Sequence, residues 1–161
     1  DAIRESQERV KSMALIHQML YQQERLSEID FGQYLQRLVE SISSGYNNMN
    51  ARVSYKIDCN NAALDIDTAI PLGLIANELI VNAYKYAFRE KSEGEIQISL
   101  FRNSNNKYIF RIKDNGTGIP AHIKTDKAET LGLRLVSLLV RQLRGSVMFS
   151  NSNGTEVTIT F

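Results

Sequence analysis

Four short segments carry the residues whose types and spacing could do chemistry. Glu78 and Asn82 stand four apart within a stretch of helical periodicity, hence on one face of a helix. A carboxylate and an amide oxygen turned into one cavity can hold a hydrated magnesium ion, and Lys85, one turn onward, can meet phosphate charge. The plainer alternative leaves Glu78 and Lys85 solvated and makes Asn82 a packing amide. Asp114, Asn115, Gly116, Thr117, Gly118 and Ile119 follow an alternating run. A carboxylate at a strand end can accept from an exocyclic amine, adenine's for instance, and glycines beside it let a flat ring approach the backbone. Read alone, the same segment is a D-N-G turn. Gly132 opens a further helical stretch, where backbone amides attract phosphate, although an ordinary loop-to-helix junction has the same look. Gly154, Thr155 and Glu156 sit at a hairpin bend and read by themselves as a turn.

The elements that must position these residues follow from periodicity. Residues 1 to about 27 contain no glycine or proline, and Val10, Met13, His17, Leu20 and Glu24 recur at spacings of three and four, a helix with a heptad seam. Ser27 and Asp30 are turn and cap candidates for a second helix carrying Phe31, Leu35, Leu38 and Ile42 and stopping at Gly45. Arg52 to Asp58 alternates as a half-buried strand, and Ala63 to Ile66 reads as a short one. A largely apolar helix is expected from Thr68 to Phe88, with Pro71 near its start. Glu95 to Arg102 and Tyr108 to Lys113 read as a hairpin, Ala121 to Glu129 as a mobile polar loop, Leu131 to Arg144 as a helix, and Val147 to Ser150 with Val157 to Phe161 as a closing hairpin. This order predicts an α+β fold, an α/β sandwich with a mixed, mainly antiparallel sheet and helices on one face, preceded by an N-terminal helical segment.

Composition narrows the function classes. The chain has 161 residues, 43% hydrophobic and 23% charged, enough for one globular domain with a short appendage. Lysine plus arginine number 19 and aspartate plus glutamate 18, so a net charge of +1 gives no electrostatic argument for nucleic acid or a membrane surface. One cysteine, Cys59, forbids an internal disulfide, and with only His17 and His122 beside it little remains for structural zinc. No apolar run approaches the roughly 20 residues that span a bilayer, and a cytoplasmic location is expected, with membrane anchoring left open for a full-length protein.

The segments N-E-L-I-V-N-A-Y-K-Y-A-F, D-N-G-T-G-I, T-L-G-L-R-L-V and G-T-E-V-T-I-T-F resemble, box by box and in order, the GHKL-type ATP-binding domain shared by histidine kinases, DNA gyrase and mismatch-repair ATPases. The resemblance covers about residues 52 to 161, and R-V-K-S-M-A-L-I-H-Q-M-L-Y at Arg9 to Tyr21 resembles the second dimerisation helix of one histidine-kinase subfamily. It implies two parts, a partial dimerisation region over 1–46 and an ATP-binding catalytic domain over 47–161. It also implies ATP and Mg2+ as cofactors, with Asn82 as magnesium ligand through the ATP phosphates and Glu78 ordering the metal's shell. Asp114 would read adenine, Gly116 and Gly118 would admit the base, and Lys85 and Gly132 would meet phosphate. Tyr86, Ile119, Leu133 and Thr155 complete the implied nucleotide contacts. Two positions depart from the pattern: Tyr86 stands where histidine or tyrosine occurs, and Thr130 replaces a glycine.

The implied reaction is transfer of the γ-phosphoryl group of ATP to a histidine. In the subfamily resembled, that acceptor lies on a preceding helix in a segment like H-R-V-K-N-N, which this sequence lacks, so His17 is expected to pack on the seam and the chain to be a piece that cannot label itself. A response regulator and a second copy, paired through the N-terminal helices, are the implied protein partners of a full-length kinase. A hydrolysing ATPase, with Glu78 as base, and a non-catalytic nucleotide-binding module are the alternatives.

Overall fold

A computed structural model describes residues 28–46, 51–59, 62–119 and 131–161, together with positions 3, 6, 7, 10, 11, 14, 15 and 18, all helical. Met13, His17, Leu20, Glu24, His122, Thr130 and the expected polar loop lie outside the described residues. In chain order the elements are β1 (Ile29–Asp30), α1 (Phe31–Gly45), β2 (Arg52–Asp58), β3 (Ala63–Leu64), α2 (Ile66–Asn82), β4 (Glu93–Arg102), β5 (Tyr108–Asp114), α3 (Leu131–Gln142), β6 (Ser146–Ser150) and β7 (Glu156–Thr160). A π-helical turn, Ala83–Ala87, continues α2.

Five strands form one sheet in the order β2-β4-β5-β7-β6, and β1 pairs with β3 in a two-stranded ribbon. The β4–β5 and β6–β7 hairpins are antiparallel, whereas β2 and β4 run parallel, Tyr55 opposite Ile96. A parallel pair needs a crossover, and β3 and α2 supply it. Strand alternation sends Ile96, Ile98, Leu100, Phe110, Ile112, Val157 and Ile159 to the side where the helices lie.

Capping sets where the helices begin. The Asp30 carboxylate accepts from the Gln33 amide at 3.0 Å and that of Asp65 from the Thr68 amide at 2.9 Å, each satisfying a donor that a helix start leaves over. Asp65 moves the start of α2 ahead of the expected Thr68. Pro71 then lies beyond the first turn, inside the helix, where it removes one intrahelical donor. Pro71 is itself buried in the core layer. Ile66–Ala87, 22 residues with mean hydropathy 1.2, meets the length and composition of a membrane span, contrary to the expectation that no run would. Two-thirds of it, 67%, is buried inside the fold, as for the core helix of a sandwich.

The expected division between 46 and 47 cuts through a single core. Phe31, Tyr34, Leu35, Leu38, Val39 and Ile42 on α1 are buried in the same cluster as α2 and the sheet. The Phe31 ring lies 6.0 Å from that of Phe110 on β5, at 73°. The α1 helix looks the same in sequence whether its apolar stripe meets a partner helix or its own sheet, so its periodicity does not say which it covers.

Two outcomes follow from this packing. Leu35→Ala, at a fully buried position, should cost about 2–5 kcal/mol in urea denaturation, and a chain begun at Asn47 should fail to give a cooperative transition that one begun at Glu28 gives. Burial, and then the neighbouring Asp58, push the Cys59 thiol up from 9.0 to about 11. The unfolded thiol therefore ionises first, so the stability that this group contributes is complete below pH 9.0 and is lost as pH rises towards 11. Cys59→Ala should lack that alkaline loss when unfolding of the two chains is compared across this window.

Candidate functional site

The second half of α2 with its π turn, the ends of β5 and β7, Phe149 of β6 and the start of α3 enclose a cavity of about 530 Å³, in the range of small-molecule sites. Of the eleven residues singled out from the sequence, Glu78, Asn82, Tyr86, Asp114, Gly118, Ile119, Gly132, Leu133 and Thr155 line it, and Lys85 and Gly116 do not. The buried polar or charged residues among those described are Asn77, Glu78 and Asp114, and all three face this cavity.

Asp114 ends β5 with its carboxylate already oriented by backbone. Its Oδ1 accepts from the amides of Gly116 at 2.9 Å and Thr155 at 3.1 Å, and its own amide donates to the Thr155 carbonyl at 2.9 Å. These bonds leave Asp114 in the wall of the cavity with one carboxylate oxygen oriented by backbone. The approach of β7's start to this strand end requires a glycine. Gly154 has φ +109°, and a Cβ there would overlap the Asp114 carbonyl. Gly116 likewise leaves no room for a Cβ against Ala87, so it shapes the site by bringing the loop against α2's extension without lining the cavity. The Thr117 amide closes that contact, donating to the Ala87 carbonyl at 3.0 Å.

Asn151 holds the far end of the same loop. Its Oδ1 accepts from the Ile119 amide and its Nδ2 donates to the Ile119 carbonyl, both at 2.8 Å. In the sequence, an asparagine among the turn-formers Asn151 to Gly154 carries no mark of such a long-range role.

At the opposite end α3 begins against α2. A Cβ on Gly132 would stand 2.8 Å from Glu78 Oε2 and 3.8 Å from Asn82 Nδ2, so the first turn of α3 brings its backbone onto the polar face of α2. Asn77 lies one residue before Glu78, 2% exposed, with its Oδ1 unpartnered. Among the described residues no three acidic, histidine or cysteine side chains gather as a metal site. Between the two ends the wall is apolar, with Leu79, Val81, Ile112 and Val157. Tyr86 stands at the mouth, with the Arg89 guanidinium 5.3 Å over its ring and Arg89 Nε donating to the Lys85 carbonyl at 2.8 Å. Arg89 also lines the cavity, and a single arginine after a helix gave no sequence signal. The cavity thus offers an acceptor at one end, an apolar slot in the middle, and an acid, amides and a helix N-terminus at the other.

Comparison with known proteins places this geometry. Residues 67–161 match the family described as histidine kinase-, DNA gyrase B-, and HSP90-like ATPase, and residues 1–46 match a family described as histidine kinase. The sensor histidine kinase PdtaS of Mycolicibacterium smegmatis is 30% identical over 163 residues, covering 99% of this chain and 32% of that protein. Blue-light-activated histidine kinase 2 of Erythrobacter litoralis is 29% identical over 134 residues, 81% of this chain and 38% of the relative. The chain therefore spans about a third of the length of these relatives. In fold it is similar to the histidine kinase domain of a blue-light-activated histidine kinase from Erythrobacter litoralis, with a TM-score of 0.85 at 24% identity, covering 98% of this chain and 74% of that one. With the match over 67–161 taking in α2, the cavity and every strand from β4 onward, the chain belongs to the histidine kinase-, DNA gyrase B-, and HSP90-like ATPase family.

Proposed function

We propose that this chain is the ATP-binding catalytic part of a two-component sensor histidine kinase, which presents the γ-phosphoryl group of Mg·ATP to a histidine other than His17. The observation that carries the reading is the placement of Asp114, which lines the cavity with its Oδ1 held by two backbone amides. That arrangement accepts from the 6-amino group of adenine and offers nothing to the 6-carbonyl of guanine. Thr155 stands beside the base, Gly118 and Ile119 shape the loop that admits it, and Tyr86 forms its outer wall.

The triphosphate then extends along α2 towards Glu78. Asn82 and Glu78 lie on its face, and the first turn of α3, with Gly132 and Leu133, turns a helix N-terminus towards the phosphate oxygens. Magnesium supplies charge neutralisation across the phosphate oxygens when bound. Asn82 would hold it and Glu78 would order its water, a small donor set that fits a cation preferring to keep water and phosphate in its shell. What the chain contributes to transfer is position and preorganised charge. We assign the catalytic unit to residues from about Glu28 onward, because α1 shares its core. The N-terminal helix is assigned to pairing with a second copy, the phosphorylated product to a response regulator, and the protein's kinase region to the cytoplasm.

Asp114→Asn should weaken ATP binding by about tenfold to a hundredfold in calorimetry, the worth of one charge-assisted hydrogen bond, and the parent should favour ATP over GTP. Equal affinity for the two nucleotides would remove adenine recognition. Asn82→Ala should abolish the magnesium dependence of binding without altering the melting transition; a variant that binds Mg·ATP as the parent does makes this amide structural. With ATP labelled at the γ-phosphate, no acid-labile label should appear on this chain. Label that disappears in His17→Ala would make His17 the acceptor, and steady phosphate release lost in Glu78→Gln would favour a hydrolysing ATPase.

A further inference from the structure

The π turn at Ala83–Ala87 decides which side chain of α2 reaches the cavity. Along an uninterrupted α-helix, at about 100° per residue, Lys85 falls about 20° from Glu78 and Tyr86 about 80° away. Tyr86 lines the cavity, within the arc that Asn82 and Leu79 also line, whereas Lys85, which the uninterrupted helix would set nearest Glu78, stays outside it. A π turn holds one residue more than an α turn, so each later side chain takes the angular place of its predecessor, and Tyr86 takes the place of Lys85. Such turns are rare and persist where surrounding contacts hold them.

The contacts that hold this one lie on the other side of the helix. Tyr84, 4% exposed, shares a hydrogen bond of 2.6 Å between its Oη and Ser43 Oγ. Its ring stacks on Tyr46 with centroids 5.2 Å apart and planes at 22°. Ser43 and Tyr46 belong to the end of α1, inside the stretch that matches the N-terminal histidine kinase family. Tyr84 and Tyr86 are thus two residues apart in one widened turn, one fastened to α1 and the other lining the cavity.

We propose that Tyr84, clasped by Ser43 and Tyr46, is a positioning residue for the nucleotide site: it locks the π register and so presents Tyr86, in place of Lys85, to the bound nucleotide. The inference rests on reading the cavity as that site. It makes the end of α1 a second determinant of nucleotide affinity, acting from behind the helix. Withdrawal of Ser43 and Tyr46 exchanges an aromatic wall for a lysine.

The test uses the whole chain with Tyr84→Phe, which removes only the hydroxyl, and Ser43→Ala, which removes its partner. Each should weaken ATP binding in calorimetry by about threefold to tenfold, and the loss should vanish when either is combined with Tyr86→Ala, since both act through that ring. An equal loss with and without Tyr86 would reduce the clasp to general stability and overturn the proposal. Amide hydrogen exchange without nucleotide provides the second arm. Both variants should speed exchange at residues 83–89 while leaving the strands as in the parent, and unchanged exchange at 83–89 would also overturn the proposal. If the parent itself binds no ATP, the proposed function fails, and the exchange arm still decides whether the clasp sets the register.

Discussion

The fold depends on how α2 disposes of the polar groups that it takes into the interior. This helix and its extension lie across the sheet with Ala69, Leu72, Ile75, Ala76, Ile80 and Ala83 in the core, yet the same helix buries Asn77 and Glu78. Polar groups moved out of water without partners cost several kcal/mol or less according to their surroundings, and a charge costs more. These groups gather at the cavity: Gly132, in the first turn of α3, lies beside Glu78, and Gly154, just before β7, lies beside Asp114. At each end a missing side chain lets a neighbouring backbone come close, which leaves the volume between them open for a ligand.

Strand alternation, helical periodicity and turn residues made most of the elements legible, because each is a local response to burial on one side. Asp30, the β4–β5 hairpin and the closing hairpin were of this kind. The polar pair Glu78 and Asn82 and the carboxylate Asp114 were legible for a related reason, since their types clash with an apolar helix and a strand end unless a site exists there. What did not show was anything fixed by tertiary approach. The parallel pairing of β2 with β4, the amide clasp of Asn151 on Ile119 and the entry of Arg89 into the lining each depend on partners far along the chain.

Lys85 illustrates the limit most directly. A reading at 3.6 residues per turn puts it on the face of Glu78, and that reading is correct for an α-helix. The register changes because Tyr84 finds Ser43 and Tyr46 some forty residues earlier in the chain, an interaction that no local pattern announces. The same limit governed α1, whose apolar stripe suited a coiled coil as well as the sheet that it covers.

These two points join. Because α1 belongs to the core of the ATP-binding unit, a movement of that helix relative to α2 cannot occur without disturbing Tyr34, Leu35 and Leu38, which are fully or almost fully buried. At its far end α1 touches α2's extension through the hydroxyl pair of half-buried Ser43 with Tyr84 and the stack of Tyr46 on Tyr84, contacts of about 1 kcal/mol each. Ile42, 1% exposed, keeps even the last turn of α1 in the core, so Ser43 and Tyr46 meet Tyr84 from a fixed position. The end of α1 thereby becomes part of the frame that sets the register of the residues lining the cavity.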